Sequence, residues 1–144
     1  MLAFDATSRE TCTARRETTT TPLQALVLLN DPQYIEAGRQ IAQASLLANR
    51  TESSDVNEAR LQSIALRIVN RPLTQEELAI AIECLDEQRA YFLSNPAAAG
   101  EYLKVGDLPP SAELIEVEAS RRELAALSVV AGMLMCFDDF VMKR

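Results

Sequence analysis

The 144-residue sequence contains no histidine. Without an imidazole there is no Ser-His-Asp triad, no Cys-His nucleophile pair, no zinc site built on imidazole and no axial ligand for a C-x-x-C-H haem attachment. Cysteine is scarce too: Cys12, Cys84 and Cys136 lie far outside the C-x-x-C spacing that presents two thiolates to one metal. Cys84 and Cys136 fall on apolar helical faces, where cysteine behaves as a small buried hydrophobe. The four glycines, at 38, 100, 106 and 132, stand alone, which excludes a glycine-rich phosphate loop. No apolar run approaches the ~20 residues that cross a bilayer, and MLAFDATSRE lacks the basic-then-apolar pattern of a secretory signal. Internal repeats and strand pairs with hairpin punctuation are absent as well.

What the chain does have is a globular balance, 48% apolar and 24% charged, enough for one self-sufficient core. The net charge is −7, and all of the excess lies in residues 51–144, where nine basic groups face sixteen acidic ones. Such a field repels phosphate backbones, and no basic stripe with interleaved aromatics opposes it, so nucleic acid is not an expected partner. The scattered acids read as a solvated surface, with the group around Glu83, Asp86 and Glu87 a weaker candidate for docking a basic partner.

The character of the sequence changes near residue 22. Before it, eight of the fifteen residues from Thr7 to Thr21 are Ser or Thr, without apolar period, and an extended segment is expected over 1–21. After it, start and stop signals predict helices. Thr21-Pro22 opens one to Asn30, carrying Leu23, Leu26, Val27 and Leu29. Asp31-Pro32 opens a second, to Ala48, with Tyr34, Ala37, Ile41 and Ser45 as its buried line, Ile35 and Leu46 beside it, and Gly38 for close helix contact.

Asp55 caps a third helix with Leu61, Ile64, Ala65, Ile68 and Val69 at helical spacing, stopped by Asn70-Arg71-Pro72. Thr74-Gln75-Glu76-Glu77 is a capping box for a fourth, which runs to Ser94 with Leu78, Ala81, Ile82, Leu85 and Phe92 inward and Glu83, Asp86, Glu87 and Arg89 outward. Asn95-Pro96 begins a short helix to Leu103, Gly106 to Pro110 is a loop, and a last helix spans Glu113–Met135. Phe137, Phe140 and Val141 close the chain. The fold class is therefore all-α: an irregular, orthogonal array of five or six helices in a single region, 22–144, after the polar segment 1–21.

Few groups converge for chemistry. Glu77 is accounted for by capping and Asp138-Asp139 by a solvated turn, since adjacent acids on one helix point apart. Met133, Met135 and Met142 read as gap-filling core. The segment Asp5 to Pro22 is different: Asp5, Arg9, Arg15, Arg16 and Thr21 combine planar guanidinium forks with a strongly cued helix start. These residues either pair internally and pin the segment across the helices, or bind an anionic group on a ligand or neighbouring domain.

FDATSRETCTARRETTTTPLQALVLLNDPQYIEAGRQIA resembles the C-terminal motif of the planctomycete-associated domain-of-unknown-function 1553 family. RIVNRPLTQEELAIAIECLDEQRAYF and the closing MLMCFDDFVMKR are similar to later parts of the same region. Thr7, Thr18, Thr20 and Cys136-Phe137 depart from its usual residues. The resemblance implies a large, exported, multi-domain parent, often with a cytochrome c-like domain, of which this chain is the C-terminal part. Any haem c then belongs to a separate upstream domain, and no cofactor is expected here. It implies a non-catalytic packing or interaction module outside the cytoplasm, with the upstream domains as partners. The enzymatic alternative has 5–21 completing an upstream active site, on an anionic polysaccharide for example. Truncation would leave the apolar faces of Leu23–Leu29 and of the last helix open to self-association.

Overall fold

A computed structural model describes residues 22–48 and 54–141. Among them the fold is all-helical: α1 (Pro22–Asn30), α2 (Pro32–Ala48), α3 (Ser54–Ile68), α4 (Gln75–Ser94), α5 (Pro96–Leu103), α6 (Ala112–Ile115), α7 (Glu118–Leu134) and α8 (Asp138–Val141). The irregular array matches expectation, although eight helices replace five or six. The added ones are single turns at either end of α7.

The start and stop signals act as the sequence indicates. Thr74 is extended and accepts a hydrogen bond from the Glu77 N–H, while the Glu77 carboxylate accepts one from the Thr74 N–H at 2.8 Å, completing the capping box. Asn70 ends α3 in the left-handed region, φ 57°, where asparagine is among the few residues tolerated. α3 begins at Ser54, one residue before the expected cap Asp55.

The last helix is a correction. Instead of one helix over 113–135, Val117 adopts an extended conformation that separates α6 from α7. No glycine or proline marks the break, so periodicity ran straight through it. α7 is the centre of the fold: Leu124 to Ser128, Val130, Ala131 and Leu134 are all buried, and the helix packs against each of α1 to α6. A helix buried on nearly every side belongs in the interior. Its apolar face is therefore closed within the fold, contrary to the expectation that it lies open.

α2 is α7's principal partner, through a different line from the one expected. Gly38, Arg39, Ala42, Ser45 and Leu46 are buried, Tyr34 and Ile41 are half-buried, and Ala37 is exposed. Small residues decide this. A Cβ on Gly38 would sit 3.3 Å from the Ser128 carbonyl oxygen, so the α2 and α7 backbones nearly touch there. Ser45 donates to the Arg60 carbonyl at 3.1 Å, tying α2 to α3.

Candidate functional site

Three polar junctions and one apolar face distinguish this surface from an ordinary solvated one. The first junction lies on α2, where Glu36, Arg39 and Gln43 recur at helical spacing and all reach the 105–111 loop. Glu36 Oε2 accepts from the Asp107 N–H at 2.6 Å and the Leu108 N–H at 3.3 Å, and Gln43 Oε1 accepts from the Ser111 N–H at 2.7 Å. Arg39 Nη2 donates to the carbonyls of Leu108 and Val105. Gly106, at φ +97°, brings the loop so close that a Cβ there would run into the Glu36 side chain.

Arg39 is fully buried, and its Nε and Nη1 have no hydrogen-bond acceptor among the described residues. Burial lowers its pKa, partly offset by the nearby Glu36 charge. Seven-residue periodicity on α2 could have revealed the polar line, but charged residues are ordinarily assigned to solvent.

The second junction is Arg71. It forks onto the Glu77 carboxylate with two bonds of 2.8 Å and holds Asp139 Oδ2 through Nε and Nη2, at 2.9 and 2.7 Å. One side chain thus joins the start of α4 to α8, which also sets Phe140 edge-on to Tyr34, centroids 6.5 Å apart. Asp138 and Asp139 are exposed, as a solvated turn requires, but Asp139 is also ion-paired, and a contact 68 residues away in sequence leaves no local signal.

Arg71 and the Thr74 N–H hold the Glu77 carboxyl well below its ordinary 4.5, at about 2. The same bonds, first to Glu77 and then to Asp139, raise the Arg71 pKa. A depressed carboxyl stabilises the fold fully above pH 4.5, and that contribution disappears as pH falls toward 2. The Tm is therefore expected to drop through this window, and Glu77→Gln, melted by circular dichroism at each pH, to have a shallower drop there than the parent.

Arg89 forms the third junction and corrects its outward assignment. It grips Glu123 through Nε and Nη2, at 2.8 and 2.5 Å, and also donates to Asn57 and Asp86. Arg60, nearly buried, approaches the same Glu123 carboxylate at 3.6 Å. α3, α4 and α7 meet on this carboxylate. The bond to Glu123 is the main cause of a raised Arg89 pKa.

The apolar face is α1. This uncharged helix buries Gln24 and Leu28 against its neighbours and leaves Leu23, Leu26 and Leu29 about half exposed, at 54, 57 and 47%. Half of the expected open surface is therefore present.

Asp5, Arg9, Arg15, Arg16 and Thr21, the sequence candidates for ligand binding, lie outside the described residues, as does Cys12. Cys84 and Cys136 are half-buried free thiols whose pKa values burial raises, keeping them protonated at neutral pH. No three His, Cys, Asp or Glu among the described residues are grouped to hold a metal. No helix there is long and apolar enough to cross a membrane.

A family model, PSD1, described as a protein of unknown function (DUF1553), matches residues 1–85. That span takes in α1 to α3, Arg71 with its capping box, and the first half of α4. No curated protein and no solved structure matches the chain.

Proposed function

Since the chain belongs to the DUF1553 family, we propose that it is a non-catalytic packing module whose α1 docks the upstream region of an exported, cytochrome c-associated parent. The half-exposed leucine face of α1, within the family-matched residues, carries this reading. Three such leucines fall far short of the ~800 Å² per partner that a free-standing complex buries. A covalently tethered occupant needs much less, because its effective concentration is high. The polypeptide entering α1 through Thr21 supplies that tether. Asp5, Arg9, Arg15, Arg16 and Thr21 serve this packing as struts for the entering segment, with no ligand site and no cofactor of their own. Haem c, in this reading, sits in a separate upstream domain.

The test joins the upstream region to the chain in one polypeptide, as the tether requires, and measures intramolecular association of the two parts by amide hydrogen exchange across α1. Lysine at Leu23, Leu26 and Leu29 is expected to leave the chain's own Tm within a few degrees, since the side chains are already half in water, yet to abolish association. Undiminished association of the lysine variant would sink the proposal.

A further inference from the structure

Between α5 and α6, residues Gly106 to Pro110 form no backbone–backbone hydrogen bond among the described residues and bury no side chain of their own. Gly106, Asp107, Leu108 and Pro109 are exposed, Leu108 at 58%, and Pro110 is half-buried. Three α2 side chains fasten the loop instead. Glu36 holds the Asp107 and Leu108 N–H groups, Arg39 the Val105 and Leu108 carbonyls, and Gln43 the Ser111 N–H. Pro109 and Pro110 have no N–H to lose on opening. A segment with neither an apolar anchor nor a backbone ladder lies at the low end of local stability. A hollow of about 310 Å³, lined by Asp31, Pro32, Gln33, Glu36, Gly106 and Asp107, gives water a way to the Glu36 fastening.

Arg39 works against the closed loop. Its guanidinium is fully buried, and only Nη2 finds acceptors, while Nε and Nη1 have none. Buried donors without acceptors lose their hydration without replacement, and burial of the charge adds to the loss. Glu36 stands one turn away on the same helix, at the i,i+3 spacing where acid and base pair, yet its carboxylate is bonded to the loop.

We propose that residues 105–111 are a strap that opens as one unit while the helices stay folded, and that Glu36 and Arg39 then pair with each other in water. The two charges exchange partners, loop amides and carbonyls in the closed form and one another in the open form. The strap therefore has two discrete arrangements, and the Glu36, Arg39 and Gln43 line of α2 is covered in one and bare in the other.

Amide hydrogen exchange by NMR tests this, each rate being divided by the residue's intrinsic rate. Opening as one unit predicts protection of Asp107, Leu108 and Ser111 equal within about twofold, and at least about a hundredfold below that of α7. Glu36→Ala should lower the protection of Ser111 about fivefold or more, as it does that of Asp107, although Ser111 is bonded to Gln43. Independent fraying would leave Ser111 unmoved. Gly106→Ala should hold the strap open, because a Cβ there would lie 2.8 Å from the Glu36 Cβ on a backbone of φ +97°. Arg39→Met should slow the exchange of all three amides about threefold or more, since it removes the buried donors; a simple clamp would show the opposite. Exchange along α7 and a thermal melt check the fold of each variant, and the comparison of the three amides in the unaltered chain needs none. Unequal protection of the three amides, a Ser111 indifferent to Glu36→Ala, or unchanged or faster exchange in Arg39→Met would overturn the proposal.

Discussion

Gly38→Leu is expected to destabilise the chain by about 3 kcal/mol, whereas Gly132→Ala should stabilise it by up to about 1 kcal/mol. Both glycines lie in helices of the central α2–α7 pair, so propensity alone would favour replacing either one. Space separates them. A Cβ at position 38 meets the Ser128 carbonyl oxygen at 3.3 Å and the Gly132 nitrogen at 3.5 Å, while at 132 nothing lies within 4 Å. Leucine at 38 must push α2 off α7, the helix on which the whole core is built. Gly38→Ala falls between, its helix-propensity gain of ~1 kcal/mol set against one tight backbone contact. Urea unfolding of the four proteins orders them directly, and a Gly38→Leu variant as stable as the parent would refute the packing described for α2.

Glu123→Ala is the second large effect, with an expected loss of about 2–3 kcal/mol. The upper range for breaking a buried pair is ~3–5 kcal/mol, and partial exposure of Glu123 and Arg89, 21 and 30% of their side chains, reduces it. Removing the carboxylate leaves the inner fork of Arg89 without its main acceptor while Arg60 stays nearly buried beside it. Glu123→Gln retains one acceptor and should lose less. A salt series distinguishes this junction from a surface pair, since the loss on Glu123→Ala should change little between low and high ionic strength. A loss below about 0.5 kcal/mol would place Glu123 among ordinary surface acids.

These effects bear on what the sequence could reveal. Local signals were reliable wherever one stretch of chain carries the whole cause: the Thr74 capping box, the Asn70 stop, the Asn95-Pro96 start and the α3 core line from Leu61 to Val69 all stand as read. The failures share the opposite property. Asp139, exposed as expected, looks unpaired until Arg71 is brought beside it, and Arg89 looks outward until α7 supplies Glu123. Arg39 carries no sequence signal because a buried guanidinium is unexpected, and only the return of the 105–111 loop gives its Nη2 two carbonyls. The α2 line shifted by one residue for a related reason: close contact with α7 selects Gly38, Ala42 and Ser45 by smallness, which a hydrophobic period does not register. At the candidate site, the leucines of α1 were legible as apolar, but their exposure is a tertiary fact.

The exposed face of α1 is also where the account can be tested most directly. Amide hydrogen exchange across Pro22–Asn30 should be compared between this chain and a longer family polypeptide carrying the region upstream of FDATSRETCTARR. Docking on Leu23, Leu26 and Leu29 predicts that α1, fast to exchange in the shorter chain, becomes at least about tenfold slower in the longer one, with α7 unchanged in both. Equal exchange of α1 in the two proteins would contradict the packing role assigned to this face.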